Sequence, residues 1–200
     1  IAPCLWFDTE AEEAATFYVS IFKNSQITTI ARYPDEGQEI HGKEAGSVMT
    51  VAFQLAGQSF VALNGGPHFK FDEAVSFQVY CESQAEVDHF WSKLSAGGQE
   101  GPCGWLKDKF GLSWQVVPVA LLEMIMDPDA SKSERAMKAF MQMKKFDIAA
   151  LKNAFGVVTA PVWCTKIASR LIRTFTDRHG LKYLLQELVK SLHDYVRRTD

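Results

Sequence analysis

Histidine and cysteine are the side chains best suited to acid–base, nucleophilic or metal chemistry near neutral pH, and this chain carries five and four of them. Cys4, Cys81, Cys103 and Cys164 form no CxxC pair. Two of them sit in the apolar runs CLWF and VYC, where a free thiol behaves as a small hydrophobe. His68, in NGGPHFKF, is the one titratable group just past a strand-like run. It reads either as a general acid–base group or as a solvated residue of a Gly-Pro loop. His41 lies between Glu39 and Glu44, a spacing that could clip a metal but that also suits a polar loop. His89, beside Phe90 and Trp91, reads as structural. The NGG turn is no phosphate cradle, because no helix follows it and no GxGxxG occurs anywhere. No Ser/His/Asp or Cys/His spacing rises above chance.

The elements that must position any site repeat. LWFD is followed by Thr9-Glu-Ala-Glu12 and an amphipathic run through Phe17-Tyr18 and Ile21-Phe22. SFQVYCE is followed by Ser83-Gln-Ala-Glu86 and a run through Phe90-Trp91 and Leu94. Each reads as a short strand, a capping box and a helix with aromatics on its inner face. Two such units in matching order predict an internal duplication. Strand-like stretches follow both: 25–32, 47–53 and 59–64 after the first, then the run through Gly104-Trp105-Leu106 and 112–117 after the second. Ala56-Gly57-Gln58 and Asp108–Gly111 read as hairpin turns. The second unit has one strand short or poorly marked, and Pro34–Glu44 reads as a polar loop.

From Val119 the chain turns helical, with expected helices over 119–126, 131–142 and 147–155, and then 167–178 and an apolar stripe over 181–196. Of 200 residues, 47% are hydrophobic and 22% charged, which excludes wholesale disorder. No run approaches the length of apolar residues a membrane-spanning helix needs, so no membrane span is expected. The net charge of -3 gives the whole chain no nucleic-acid footprint, and no nucleic-acid partner is expected. That value hides an asymmetry: residues 1–150 hold 12 Lys/Arg against 20 Asp/Glu, residues 151–200 hold 9 against 4. A domain over 1–155 followed by a basic helical extension over 156–200 is therefore expected. Without a signal peptide or paired cysteines, a reduced, cytoplasmic protein is the expectation.

The runs LWFDTEAEEAATFYVSIF, AGSVMTVAF, FVALNGGPHFKF, SFQVYC, CGWLKDKFGLSWQVVP and MQMKKFDIAAL resemble the PhnB-type proteins. These belong to the vicinal-oxygen-chelate (glyoxalase/bleomycin-resistance) superfamily and often carry the label 3-demethylubiquinone-9 3-methyltransferase. The resemblance spans about 1–155. It implies an α+β fold of two βαβββ modules, about 1–66 and 74–118, forming a cupped mixed sheet with C-terminal helices. It also implies a small-molecule ligand and a homodimer.

Enzymes of that superfamily hold a divalent metal with His and Glu on inward faces of the first, fourth, fifth and eighth strands. Because side chains alternate, two registers can be tested. One presents Pro3, Leu5 and Phe7, Phe60, Ala62 and Asn64, Ser76 and Gln78 with Tyr80 beyond, Ser113, Gln115 and Val117. The other presents Cys4 and Trp6, Val61 and Leu63, Phe77 and Val79, Trp114 and Val116. Neither offers His or a carboxylate, so no metal and no cofactor are expected. The expected pocket lining is Asn64, Ser76, Gln78, Trp105 and Gln115, with Trp114 packing behind Gln115 and His68 as the candidate catalytic group. No Gly-rich strand-to-helix turn supports the methyltransferase label. The leading function is small-molecule binding, with turnover undecided. The alternatives are a non-catalytic ligand-sequestering module, or an interaction protein acting through its basic C-terminal helix.

Overall fold

The computed structural model of this protein describes residues 1–156, so the helices expected over 167–178 and 181–196 lie outside the described residues. Two four-stranded sheets share one plan. The first contains β1 (Cys4–Phe7), β2 (Gln26–Arg32), β3 (Val48–Leu55) and β4 (Gln58–Asn64) in the order β1-β4-β3-β2. The second contains β5 (Ser76–Cys81), β6 (Gln99–Glu100), β7 (Trp105–Lys107) and β8 (Ser113–Pro118) in the order β5-β8-β7-β6. In each, the first and last strands pair in parallel and the remaining pairs are antiparallel. The crossover helices are α1 (Ala11–Ile21) and α3 (Gln84–Leu94), so the βαβββ unit occurs twice in an α+β chain. The poorly marked strand of the second unit is the two-residue β6. Local chemistry accounts for the β3–β4 hairpin: Ala56 and Gly57 both take positive φ, 48° and 84°, as a two-residue turn of this hand requires. The loop expected over 34–44 contains a single helical turn, α2 (Gln38–His41).

The two helices start differently. At α3 the Ser83 hydroxyl accepts from the Glu86 amide, while the Glu86 carboxylate accepts from the Glu82 amide. The matching box at Thr9 does not form. There the Ala11 amide donates to Asn64 Oδ1 at 2.8 Å, across a sequence gap of 53 residues. A tertiary cap replaces the local one because Asn64 ends the strand that pairs with β1 and stands under the helix start.

Both helices cover the same side of their sheets. Ala11, Ala14, Ala15 and Tyr18 of α1 are fully buried against Leu5, Phe7, Val51, Phe53 and Ala62. Val87, Trp91 and Leu94 of α3 bury Val79, Cys81, Leu106, Trp114 and Val116. These covered faces share one core, since the Phe60 ring meets Phe77 at 5.3 Å and Tyr18 meets Trp114 at 5.5 Å between centroids. Asp108 ties the modules together from the β7–β8 turn. Its carboxylate accepts from the Tyr18 hydroxyl, the Trp114 indole and the amides of Phe110 and Leu112. Burial pushes its pKa above the ordinary carboxylate range despite those four donors, and burial next to Asp108 raises that of Tyr18 well above a normal phenol.

Three further helices, α4 (Val119–Ile125), α5 (Ala130–Phe140) and α6 (Ile148–Phe155), complete the described chain. They close the second module. Phe146 is buried against Gly104, where an added Cβ would lie 2.4 Å from the Phe146 ring and 2.8 Å from the Val116 carbonyl. The Cys103 and Gly104 amides donate to the carbonyls of Met143 and Lys144.

Candidate functional site

With both helices on the inside, each sheet keeps one open face. Strand alternation then decides which side chains line it. In the second sheet the open positions form a grid set by register. Ser76 on β5 lies opposite Ser113 on β8, which the loop before β5 buries, and Ser113 lies opposite Lys107 on β7. One row on, Gln78 lies opposite Gln115, and Gln115 opposite Trp105. Trp114 and Leu106, between them in sequence, are 2% and 3% exposed and belong to the core.

A directed chain of hydrogen bonds runs over this grid. The Tyr80 hydroxyl donates to Gln78 Oε1 at 2.6 Å, Gln78 Nε2 donates to Gln115 Oε1 at 3.2 Å, and Gln115 Nε2 donates to Ser76 Oγ at 2.8 Å. Each link leaves amide hydrogens and carbonyl lone pairs free for a ligand. Beside it lies a cavity of about 430 Å³ lined by Trp105, Ser113, Lys107, Glu73 and Gln99 among others. Lys107 pairs with Glu73 at 2.6 Å, and that contact holds the Glu73 carboxyl below its usual pKa. Sequence reasoning set Tyr80 at the far end of the fifth-strand register and missed Lys107 and Glu73. The period of two marks Lys107, two residues along its strand from Trp105; Glu73 sits in the loop before β5, where no periodicity reaches.

The first sheet uses the opposite register from the second. Leu5, Phe7, Phe60, Ala62 and Asn64 face α1, and the open positions are Cys4, Trp6, Val61 and Leu63, with Thr50 and Ala52 of β3 beside them. Asn64 is therefore not gathered with Ser76, Gln78, Trp105 and Gln115. It is 7% exposed, and both polar atoms of its amide are engaged: Oδ1 by Ala11 and Nδ2 by the Val48 carbonyl. His68 is exposed in the β4–β5 loop and makes no hydrogen bond among the described residues, so it is not gathered with the polar row. His41 accepts the Lys43 amide on Nδ1 and stacks on Tyr33 at 4.7 Å. His89 Nε2 bonds the Ile21 carbonyl, which joins the two helices.

Two βαβββ modules of identical strand order define a protein of the vicinal-oxygen-chelate class. The family model described as 3-demethylubiquinone-9 3-methyltransferase matches residues 1–117. The chain belongs to that PhnB-like family. Among solved structures it is similar to a PhnB protein from Bacillus cereus, provisionally described as a 3-demethylubiquinone-9 3-methyltransferase, at 34% identity and TM-score 0.52, over 60% of this chain and 98% of that one. It is also similar to protein PA1353 from Pseudomonas aeruginosa (19% identity, TM-score 0.49, 59% and 96% covered). A third similar structure is the fosfomycin resistance protein FosX from Listeria monocytogenes (14%, 0.41, 59% and 90%). No curated protein matches. A second family model, described as 3'-5' exonuclease, matches residues 113–198, less than half of the chain. Its first residues form β8, the strand that pairs with both β5 and β7, and 119–156 belong to the same compact unit as the modules.

The superfamily's metal does not fit this chain. The open positions on β1, β4, β5 and β8 carry thiol, indole, aliphatic, hydroxyl and amide groups. Among the described residues no three His, Cys, Asp or Glu side chains come together as a metal site. None of the described helices is long and apolar enough to cross a membrane.

Proposed function

We propose that this protein binds a small organic molecule on the open face of its second sheet. Trp105 supplies a flat apolar contact, while Ser76, Gln78 and Gln115 orient polar groups of the ligand. The observation that carries this reading is the hydrogen-bonded row from Tyr80 to Ser76, since four polar side chains on a sheet face beside a cavity stabilise no packed neighbour. The grid is neutral, which favours stoichiometric binding over turnover. A homodimer suits the site, because the open face of each first sheet, with Trp6, Val61 and Leu63, would cover the second sheet of the other copy. The free thiols of Cys4, Cys81 and Cys103 fit a reduced, cytoplasmic setting, and burial pushes the Cys81 thiol up to about 12, which makes it inert.

The test is a thermal-shift ligand screen followed by titration of wild type, Gln115→Ala and Trp105→Ala. Loss of one orienting amide, which a bound ligand would bury, predicts binding weaker by about tenfold. Equal affinity in all three proteins would place the ligand elsewhere, and product formation would make the protein an enzyme.

The domain organisation follows as a second proposal: a PhnB-like domain over 1–155 and a separate basic segment over 156–200. The exonuclease-like match covers nearly all of that segment and thus most of the basic quarter of the chain, which favours a nucleic-acid contact there that whole-chain charge averages away. Salt-dependent binding of single-stranded oligonucleotide by the full chain, lost in a 1–156 truncation, is the expected outcome. Equal binding by both, or none, would reject it.

A further inference from the structure

Charge on the open faces is sparse and self-cancelling. Across the two central rows of the second sheet the only ionised side chain is Lys107, and Glu73 neutralises it at 2.6 Å. Glu100 also lines the cavity, but it stands opposite Leu106 on the covered side and its carboxylate accepts from the Trp91 indole. The side chains that remain for a ligand are hydroxyls, carboxamides and an indole, each uncharged. On its three inner strands the open face of the first sheet adds Cys4, Trp6, Thr50, Ala52, Val61 and Leu63, all uncharged, and its one charge, Arg32 on the edge strand β2, donates to the Gly46 carbonyl. An ionic ligand entering between such faces would lose hydration without gaining a counter-charge, and a carboxylate or phosphate beside Lys107 would also meet Glu73. A neutral ligand bears neither cost. Gln78 and Gln115 each present a donor and an acceptor, so they match a partner with both, and Trp105 next to Gln115 favours a flat one.

Resting on the site proposed above, we infer that its ligand is an uncharged, planar molecule carrying both a hydrogen-bond donor and an acceptor, and that Glu73 is a specificity residue which rejects anions by masking Lys107. The position of the pair supports the second half. Glu73 comes from the loop before β5 and reaches the outer row of the grid, where it and Lys107 line the same cavity as Trp105. An exposed ion pair of this kind contributes little stability, so its removal leaves the fold intact and the change in selectivity readable.

The experiment uses three matched probes, benzamide, benzoate and benzylamine (a cation at neutral pH), titrated by ligand-observed NMR against the full chain. Wild type should bind benzamide at least about tenfold more tightly than either ion. Glu73→Gln should unmask Lys107 and shift the benzamide-to-benzoate ratio toward benzoate by about tenfold, with benzylamine unimproved. Benzoate or benzylamine binding wild type as well as benzamide, with that affinity lost in Trp105→Ala, would overturn the ligand class while leaving the site in place. Benzamide preference untouched by both Trp105→Ala and Gln115→Ala would instead overturn the site. No binding by any probe, or an unchanged ratio in Glu73→Gln, would also reject the inference.

Discussion

The two modules share strand order, parallel closure and crossover helix, yet they differ at the helix start and on the open face. In the first, Asn64 at the end of β4 caps α1; by register the equivalent residue of the second is Pro118, which has no acceptor side chain, and Ser83 caps α3 locally. In the first, the open face is largely apolar; in the second it carries the hydrogen-bonded row. Duplication thus preserves what the backbone needs, a satisfied helix start and one covered face, and leaves the chemistry of the other face free to diverge.

Asp108 is where the comparison breaks most readily, because it belongs to the second module and serves both. Asp108→Ala strands the Tyr18 hydroxyl, the Trp114 indole and two amides in the core, with an expected loss of about 3 kcal/mol or more in denaturant unfolding. A loss under about 1 kcal/mol would mean that the modules dock without it. Its pH dependence has a definite sign. Because burial raises the folded-state pKa, the folded chain keeps this proton to higher pH than the unfolded chain does. The stability it contributes is complete below the ordinary carboxylate range and falls as pH rises through the raised value. Wild type should therefore lose stability relative to Asp108→Asn over that window, and parallel curves would remove Asp108 as the source.

The two caps give a smaller, paired effect. Asn64→Ala removes two buried hydrogen bonds and should cost about 2 kcal/mol, against about 1 kcal/mol for Ser83→Ala at an exposed cap. Chemical denaturation of both variants decides it, and the reverse order would show that α1 does not depend on its tertiary cap. On the open faces, Gln115→Ala should leave the melting temperature of the unliganded chain within about a degree, as surface substitutions do, and change ligand affinity alone. The smallest expected effect is on the core after removal of 157–200. Residues 1–156 form one compact unit with α6 stopped at Gly156, so the truncated chain should unfold cooperatively with little change in midpoint. Loss of cooperativity would place part of the core beyond residue 156.

Much of the fold is legible in the sequence. The repeated strand–cap–helix pattern announced the duplication, Ala56-Gly57 announced its hairpin, and Ser83-Gln-Ala-Glu86 announced the helix it caps, because each depends on neighbours a few residues apart. The polar residues of the second module alternate with Phe77, Val79, Trp114 and Val116, so the strand period alone assigned their face. The first module gave no such contrast. Along LWF and FVAL both faces are apolar, and a one-residue choice of register exchanges every side chain between core and surface. Only the placement of α1 resolved that choice, and with it the fate of Asn64, whose partner lies 53 residues away. The same reason hid Asp108, a turn aspartate in sequence and a buried hub in the fold, because its Tyr18 partner stands 90 residues away and no local pattern carries information over that distance.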